Sequence, residues 1–202
     1  MRVLRLVMAF GVVGLITIPV TAQTAPPLCF GRTPTIVATD DDGVTDPVYG
    51  TTGSDVMAGI RGHDKLYPWP PGPPNGWTPT FPDEGDFVCG DNGIDWIKTG
   101  YGSDRVSGGS GNDDIEGGPG PDQLSAGDGF DFVKGGPSND RLFGGRGNDH
   151  LDGDQNDDYL DGGKGYNRLN GGSGYDTCIV DGSDDADPGP DILSNCEVVI
   201  VN

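Results

Sequence analysis

Aspartate recurs every ninth residue through the second half of the chain, at Asp95, Asp104, Asp113, Asp122, Asp131, Asp140, Asp149, Asp158 and Asp176, with Asn167 taking the one remaining place. Two residues after each comes an apolar side chain or cysteine: Ile97, Val106, Ile115, Leu124, Val133, Leu142, Leu151, Leu160, Leu169 and Cys178. Glycine precedes the aspartate by two residues (Gly93, Gly102, Gly111, Gly120, Gly129, Gly147, Gly165, Gly174) and by four (Gly109, Gly118, Gly127, Gly136, Gly145, Gly163, Gly172). The phrase reads G-G-x-G-x-D-x-U-x, with U apolar. Such residues can bind a hard cation. Aspartate supplies a carboxylate oxygen, glycine leaves main-chain carbonyls free to turn toward the same point, and calcium accepts six to eight such oxygens. The residue just before each aspartate varies freely (Ile94, Ser103, Asn112, Pro121, Phe130, Tyr166), whereas the aspartate hardly varies. A residue needed only to make a turn would be Asn, Ser or Gly as often.

The elements that must hold these groups follow from the same spacing. A three-residue x-U-x strand turns U to one side and its neighbours to the other, and the six residues between strands form a glycine-rich turn. The stretch resembles the haemolysin-type (RTX) calcium-binding repeat family, and the resemblance covers about half the chain. It implies an all-β fold, a parallel β-roll in which each nonapeptide gives one turn and one strand, two repeats complete a coil, and several Ca2+ ions lie in the turns. On that reading ions are shared between coils by Asp95, Asp113, Asp131 and Asp149 along one edge and by Asp104, Asp122, Asp140, Asp158 and Asp176 along the other. The turn at Asn167 lacks a carboxylate and is expected to bind most weakly, with those near Ser138 and Asn156 next.

Ahead of the main block (86–180) the chain divides into further segments. Residues 1–22 have the form of a secretory signal peptide, with Arg2 and Arg5 before an apolar run and a small-residue site ending at Ala22. Residues 23–45 form a lead and cap strand around Thr35–Thr39, followed by Asp40–Asp42, which read as a solvated acidic turn, with calcium binding as the alternative. A first repeat block (46–67) carries Asp55 and Asp64 as further ligands, Met57 and Leu66 as apolar partners, and a degenerate copy at Asp46 and Val48. Residues 68–85 form a Pro/Trp-rich insertion that must leave the roll as a loop, since proline cannot donate to a strand ladder. Its Trp69, Trp77 and Phe81 either present a contact surface to a protein or glycan or fold back over an apolar edge. The repeat resumes with Asp86 as a ligand, and residues 181–202 form a C-terminal cap ending in the strand Val198–Val201.

Composition restricts the function. The formal net charge is -20, and -22 once Arg2 and Arg5 are removed, which excludes a nucleic-acid partner as the default and favours a cation. No stretch after the leader is long and apolar enough to span a membrane. The four cysteines contain no C-x-x-C pair and read as disulfides of an exported protein. In a two-repeat coil Cys196 lies one coil beyond Cys178, which leaves Cys29 for Cys89. The same coil length stacks Lys98, Glu116, Lys134 and Asp152 into a column of alternating sign, beside a patternless column of Trp96, Asp114, Phe132, His150 and Arg168. The only histidines, His63 and His150, fall at variable surface positions, and no nucleophile elbow, zinc-protease motif or phosphate loop is present. The sequence therefore predicts a secreted calcium-binding protein with a structural or interaction role and no catalytic residues. A calcium-dependent adhesin using Trp69 and Trp77, and less so a calcium-dependent hydrolase, are the alternatives.

Overall fold

The computed structural model describes residues 29–37, 47–49, 55–59, 64–67, 85–181 and 191–201. The leader, Asp40–Asp42, Asp46, His63, Trp69, Trp77 and Phe81 lie outside them. Every regular element among the described residues is a strand. The N-terminal part contributes β1 (Ile36–Val37), β2 (Pro47–Tyr49), β3 (Val56–Ala58) and β4 (Lys65–Tyr67). The long array follows with β5 (Phe87–Asn92), β6 (Trp96–Lys98), β7 (Arg105–Ser110), β8 (Asp114–Glu116), β9 (Gln123–Asp128), β10 (Phe132–Pro137), β11 (Arg141–Arg146), β12 (His150–Gln155), β13 (Tyr159–Lys164) and β14 (Arg168–Asn170). The chain closes with β15 (Thr177–Val180), β16 (Ile192–Ser194) and β17 (Val198–Val201).

Odd-numbered strands form one nine-stranded sheet and even-numbered strands an eight-stranded one, with every pairing parallel. This is the expected parallel β-roll. Strands β3 to β15 turn their U residues inward, so Met57, Leu66, Val88, Ile97, Val106, Ile115, Leu124, Val133, Leu142, Leu151, Leu160, Leu169 and Cys178 form one continuous buried core. Because U alone fills the interior of each short strand, the core is a single side chain deep, and it gains stability by stacking coil on coil. Register is fixed at eighteen residues, which places Val133 between Ile115 and Leu151 and Leu142 between Leu124 and Leu160.

Departures from eighteen mark the non-repetitive segments, beginning with Ile36 and Met57, 21 residues apart. Asp55 and Asp86 are hydrogen-bonded neighbours 31 residues apart, and the strands on either side of residues 68–84 pair in parallel register. The last pairings, Arg168 with Ile192 and Thr177 with Val198, have longer separations as well. The lead is tied to the array by the Cys29–Cys89 disulfide, with Cα atoms 5.7 Å apart, and the Arg32 guanidinium lies 3.9 Å from the Phe87 ring centroid. Ile36 packs against the core, as the cap strand requires.

Some expectations need correction. Cys178 and Cys196 form a disulfide with Cα atoms 5.8 Å apart, yet they are not opposed on neighbouring strands. Cys178 faces Val199, because the final coil is longer than eighteen residues and Cys196 therefore falls short of the strand. β17 pairs with β15, and Cys178 beneath it is fully buried, while Val199 and Val201 themselves remain 47% and 66% exposed. The column Lys98, Glu116, Lys134, Asp152 is in register, and Lys98 Nζ meets Glu116 Oε1 at 2.6 Å. Lys134, however, pairs with Asp154 at 3.2 Å, and Asp152 accepts from Asn170 Nδ2 instead. These half-exposed ion pairs contribute roughly 0.2 to 1 kcal/mol each, too little to hold the register themselves. The column expected to lack pattern contains a ring stack, Phe132 on His150 at 4.7 Å, so His150 is held against a neighbour on the surface.

Glycine is indispensable where coils meet. At Gly111 φ is +136°, and a Cβ would overlap the carbonyl of Gly93 in the preceding coil. Gly111→Ala should therefore destabilise the roll by roughly 2 to 5 kcal/mol from left-handed strain and backbone overlap together. Ser107→Ala, on the outer face, should change stability by less than about 0.5 kcal/mol. Thermal unfolding of both variants at fixed calcium checks the contrast.

Candidate metal centre

The aspartate of each phrase lies at the end of a turn, immediately before a strand, and its side chain enters the space between coils. Asp55, Asp64, Asp86, Asp95, Asp104, Asp113, Asp122, Asp131, Asp140, Asp149, Asp158 and Asp176 are all buried. Their Oδ1 atoms form two ladders. On one edge the N–H of Asp95 donates to Asp113 (2.9 Å), Asp113 to Asp131 (2.8 Å), Asp131 to Asp149 (3.0 Å) and Asp149 to Asn167 Oδ1 (2.9 Å). On the other, Asp104 donates to Asp122, Asp122 to Asp140, Asp140 to Asp158 and Asp158 to Asp176, at 2.7 to 2.9 Å. The first repeat block joins the same ladders through Asp55 to Asp86 and Asp64 to Asp95.

The second oxygen is different. Oδ2 of Asp113, Asp122, Asp131, Asp140, Asp149, Asp158 and Asp176 is buried with no hydrogen-bond partner. A buried carboxylate oxygen left in this way costs on the order of 1 to 3 kcal/mol, and seven in one small protein cannot be a packing accident. Burial pushes Asp122 up to about 8 and Asp113, Asp140, Asp149 and Asp158 to about 7, with the ladder N–H opposing the rise in each. Burial raises Asp131 and Asp176 as well. These turns therefore require positive charge, supplied either by a proton or by a cation.

The backbone is arranged around this oxygen. A Cβ on Gly108, Gly117, Gly135, Gly144 or Gly153 would press on Oδ2 of the aspartate five residues later and on a carbonyl of the next coil. These glycines open the phrase, and sequence reasoning had passed over them as ligand-site residues. Thr99 and Ala126 occupy the same place in two turns and are fully buried. The position of the carbonyls is visible where Asn167 replaces aspartate: its Nδ2 lies 3.5 Å from Gly163 O and 3.3 Å from Gly165 O. Carbonyls four and two residues ahead of the ladder residue thus converge on its second side-chain atom. Among the described residues no three His, Cys, Asp or Glu side chains converge. One carboxylate with several carbonyls is a donor set for a hard, flexibly coordinated cation such as Ca2+, and a poor one for zinc or copper.

Two ladder members escaped sequence reasoning. Asn167 N–H donates to Asp191 Oδ1 and Asp176 N–H to Glu197 Oε2, both at 2.7 Å, so these two residues end the ladders. Their separations of 24 and 21 residues lie outside the nine-residue phase, and Glu197 is the wrong residue type for the motif. No periodic signal could have found them.

A parallel β-roll whose turns bury unpaired aspartate oxygens beside glycine carbonyls is a protein built on cation-binding turns. Residues 90–124, 116–151, 125–160 and 152–187 match the RTX calcium-binding nonapeptide repeat in four copies, and this stretch of the chain belongs to that family. No curated protein and no solved structure matches the chain.

The raised carboxyls set a pH dependence of unusual sign. A carboxyl whose folded value lies above its unfolded one favours the fold when protonated, so this stabilisation is complete below about 4 and is lost as pH rises through about 7 to 8. In excess chelator the roll should therefore gain β-structure on going from pH 8 to pH 5. The calcium concentration for half-saturation should rise over the same interval, because ions and protons compete for the same oxygens. Circular dichroism at the two pH values, with and without calcium, measures both.

Proposed function

We propose that the chain is an exported calcium-binding β-roll whose folding and ion loading form one equilibrium, and whose surface serves a structural or interaction role. The observation that carries this reading is the set of seven buried, unpartnered Oδ2 atoms. The ligands are the ladder aspartates, with Asp55, Asp64 and Asp86 continuing the set, together with the glycine carbonyls two and four residues ahead of them. When bound, the ion supplies positive charge between coils. The chain's own part is to position Oδ2 through the Oδ1 ladder and to exclude water by stacking. Without ions the ladder residues of neighbouring coils repel one another, and each repeat orders its glycines for the burial of a single U side chain. At ten times Kd each site adds about 1.4 kcal/mol, so six sites would supply roughly 8 kcal/mol, comparable to the stability of a whole small domain.

Export is supported by the form of residues 1–22 and by the two disulfides, which persist in oxidising compartments. Among the described residues no helix is long and apolar enough to cross a membrane. The reading assigns no catalytic residue. A second reading, contact with a protein or glycan through Trp69 and Trp77, is favoured by one observation: the coils on either side of the insertion keep their register. Ladder partners are separated by thirty-one residues there and by eighteen in the array, so residues 68–84 are not needed for the pairing of the roll. Glycan-array binding that disappears in the double variant Trp69→Ala/Trp77→Ala would support it.

The test of the main reading is far-UV circular dichroism of the oxidised protein during a calcium titration, with magnesium as the control. The expected result is a cooperative gain of β-signal with calcium and none with magnesium, which holds its water too tightly for carbonyl-rich turns. A β-signal already complete in excess chelator at pH 8 would show the roll to be self-sufficient.

A further inference from the structure

Asn167 breaks the pattern of aspartates in a specific way. Its Oδ1 accepts the N–H of Asp149 at 2.9 Å, as the ladder aspartates from Asp86 to Asp176 do for the coil before them, and this fixes which end of the amide faces the turn. The other end, Nδ2, occupies the place that Oδ2 occupies elsewhere: a Cβ on Gly162 would press on Nδ2, just as one on Gly144 or Gly153 would press on Oδ2 of Asp149 or Asp158. From there Nδ2 donates to Gly163 O and Gly165 O, and no side-chain atom of Asn167 is among the buried groups without a partner. The residue is fully buried, and its own N–H is taken by Asp191.

We infer that the Asn167 turn holds no calcium, because the side-chain amide does there what the ion does elsewhere. This inference rests on the calcium reading of the other turns. The amide brings two N–H donors to two carbonyl oxygens that would otherwise face a carboxylate, so the ladder side chain is satisfied in hydrogen bonds and carries no negative charge. A cation entering it would have to displace those bonds and would gain no carboxylate in return. The sequence alone suggests a weak site at this position. The hydrogen bonds make it a closed turn within an open array, lying between β13 and β14. The same arrangement predicts what an asparagine would do in a neighbouring turn, since Asp149 has the same cradle.

The experiment counts ions and follows one side chain. Equilibrium dialysis against calcium, with metal analysis of the retained protein, gives ions per chain for the wild type, Asn167→Asp and Asp149→Asn. The expected result is at least one more ion in Asn167→Asp and at least one fewer in Asp149→Asn, relative to wild type. In the calcium-saturated wild type the Asn167 side-chain NH2 resonances should exchange with solvent at least tenfold more slowly than those of exposed asparagines. Unchanged ion counts in both variants, or a rapidly exchanging Asn167 amide at saturating calcium, would overturn the inference. A wild type that binds no calcium fails a different test, that of the calcium reading itself. If Asn167→Asp does not fold, Asp149→Asn decides: the loss of an ion with the β-signal retained supports the inference, and an unchanged count refutes it.

Discussion

One hydrogen bond organises the molecule: the N–H of a ladder residue donates to the side-chain Oδ1 of the ladder residue one coil further on. A backbone donor at the end of a turn has no strand partner, and the aspartate satisfies it in the direction of coil growth. In doing so it fixes the carboxylate and commits its second oxygen to the interior. Stacking and ion binding are therefore two consequences of the same side chain. Glutamate would reach too far for the regular turn, which is consistent with Glu197 occurring only where the final coil is lengthened.

The glycines follow from the same constraint. Close stacking of turns places the carbonyl of one coil where a Cβ of the next would lie, and the cradle around Oδ2 leaves no room for one either. Each coil therefore contributes one apolar side chain to the core and several residues of maximal backbone freedom. A fold assembled in this way has little apolar burial per residue, so the cost of its buried carboxylates has little else to offset it.

Periodicity made the interior of the array readable. Identical residue types at a constant interval announced the U column, the aspartate ladders and the eighteen-residue coil, and from the coil came the cysteine pairing and the Lys98–Glu116 contact. What lay outside the period could not be read. Asp191, Glu197 and the offset of Cys196 belong to coils lengthened by irregular segments, where counting residues no longer gives position. The choice of Asp154 by Lys134 depends on how far a flexible side chain reaches along the sheet, which register does not determine. The opening glycines of each phrase were visible as letters, but their proximity to Oδ2 emerges only when turns are stacked.

The distribution of charge changes how the surface should be understood. Twelve of the thirty-two acidic residues are the buried ladder aspartates, so much of the formal charge of -20 is directed into the roll and not toward solvent. The outer faces carry a different mixture. One has Lys98, Glu116, Lys134 and Asp152 in a single column, and the other has Arg105, Arg141, Arg146 and Lys164 among neighbours that include Asp128 and Asp161. An unloaded chain presents a dense negative charge to any partner, whereas a loaded roll presents these nearly balanced faces. On the proposed coupling of folding to ion binding, the ion would govern shape and long-range electrostatics together.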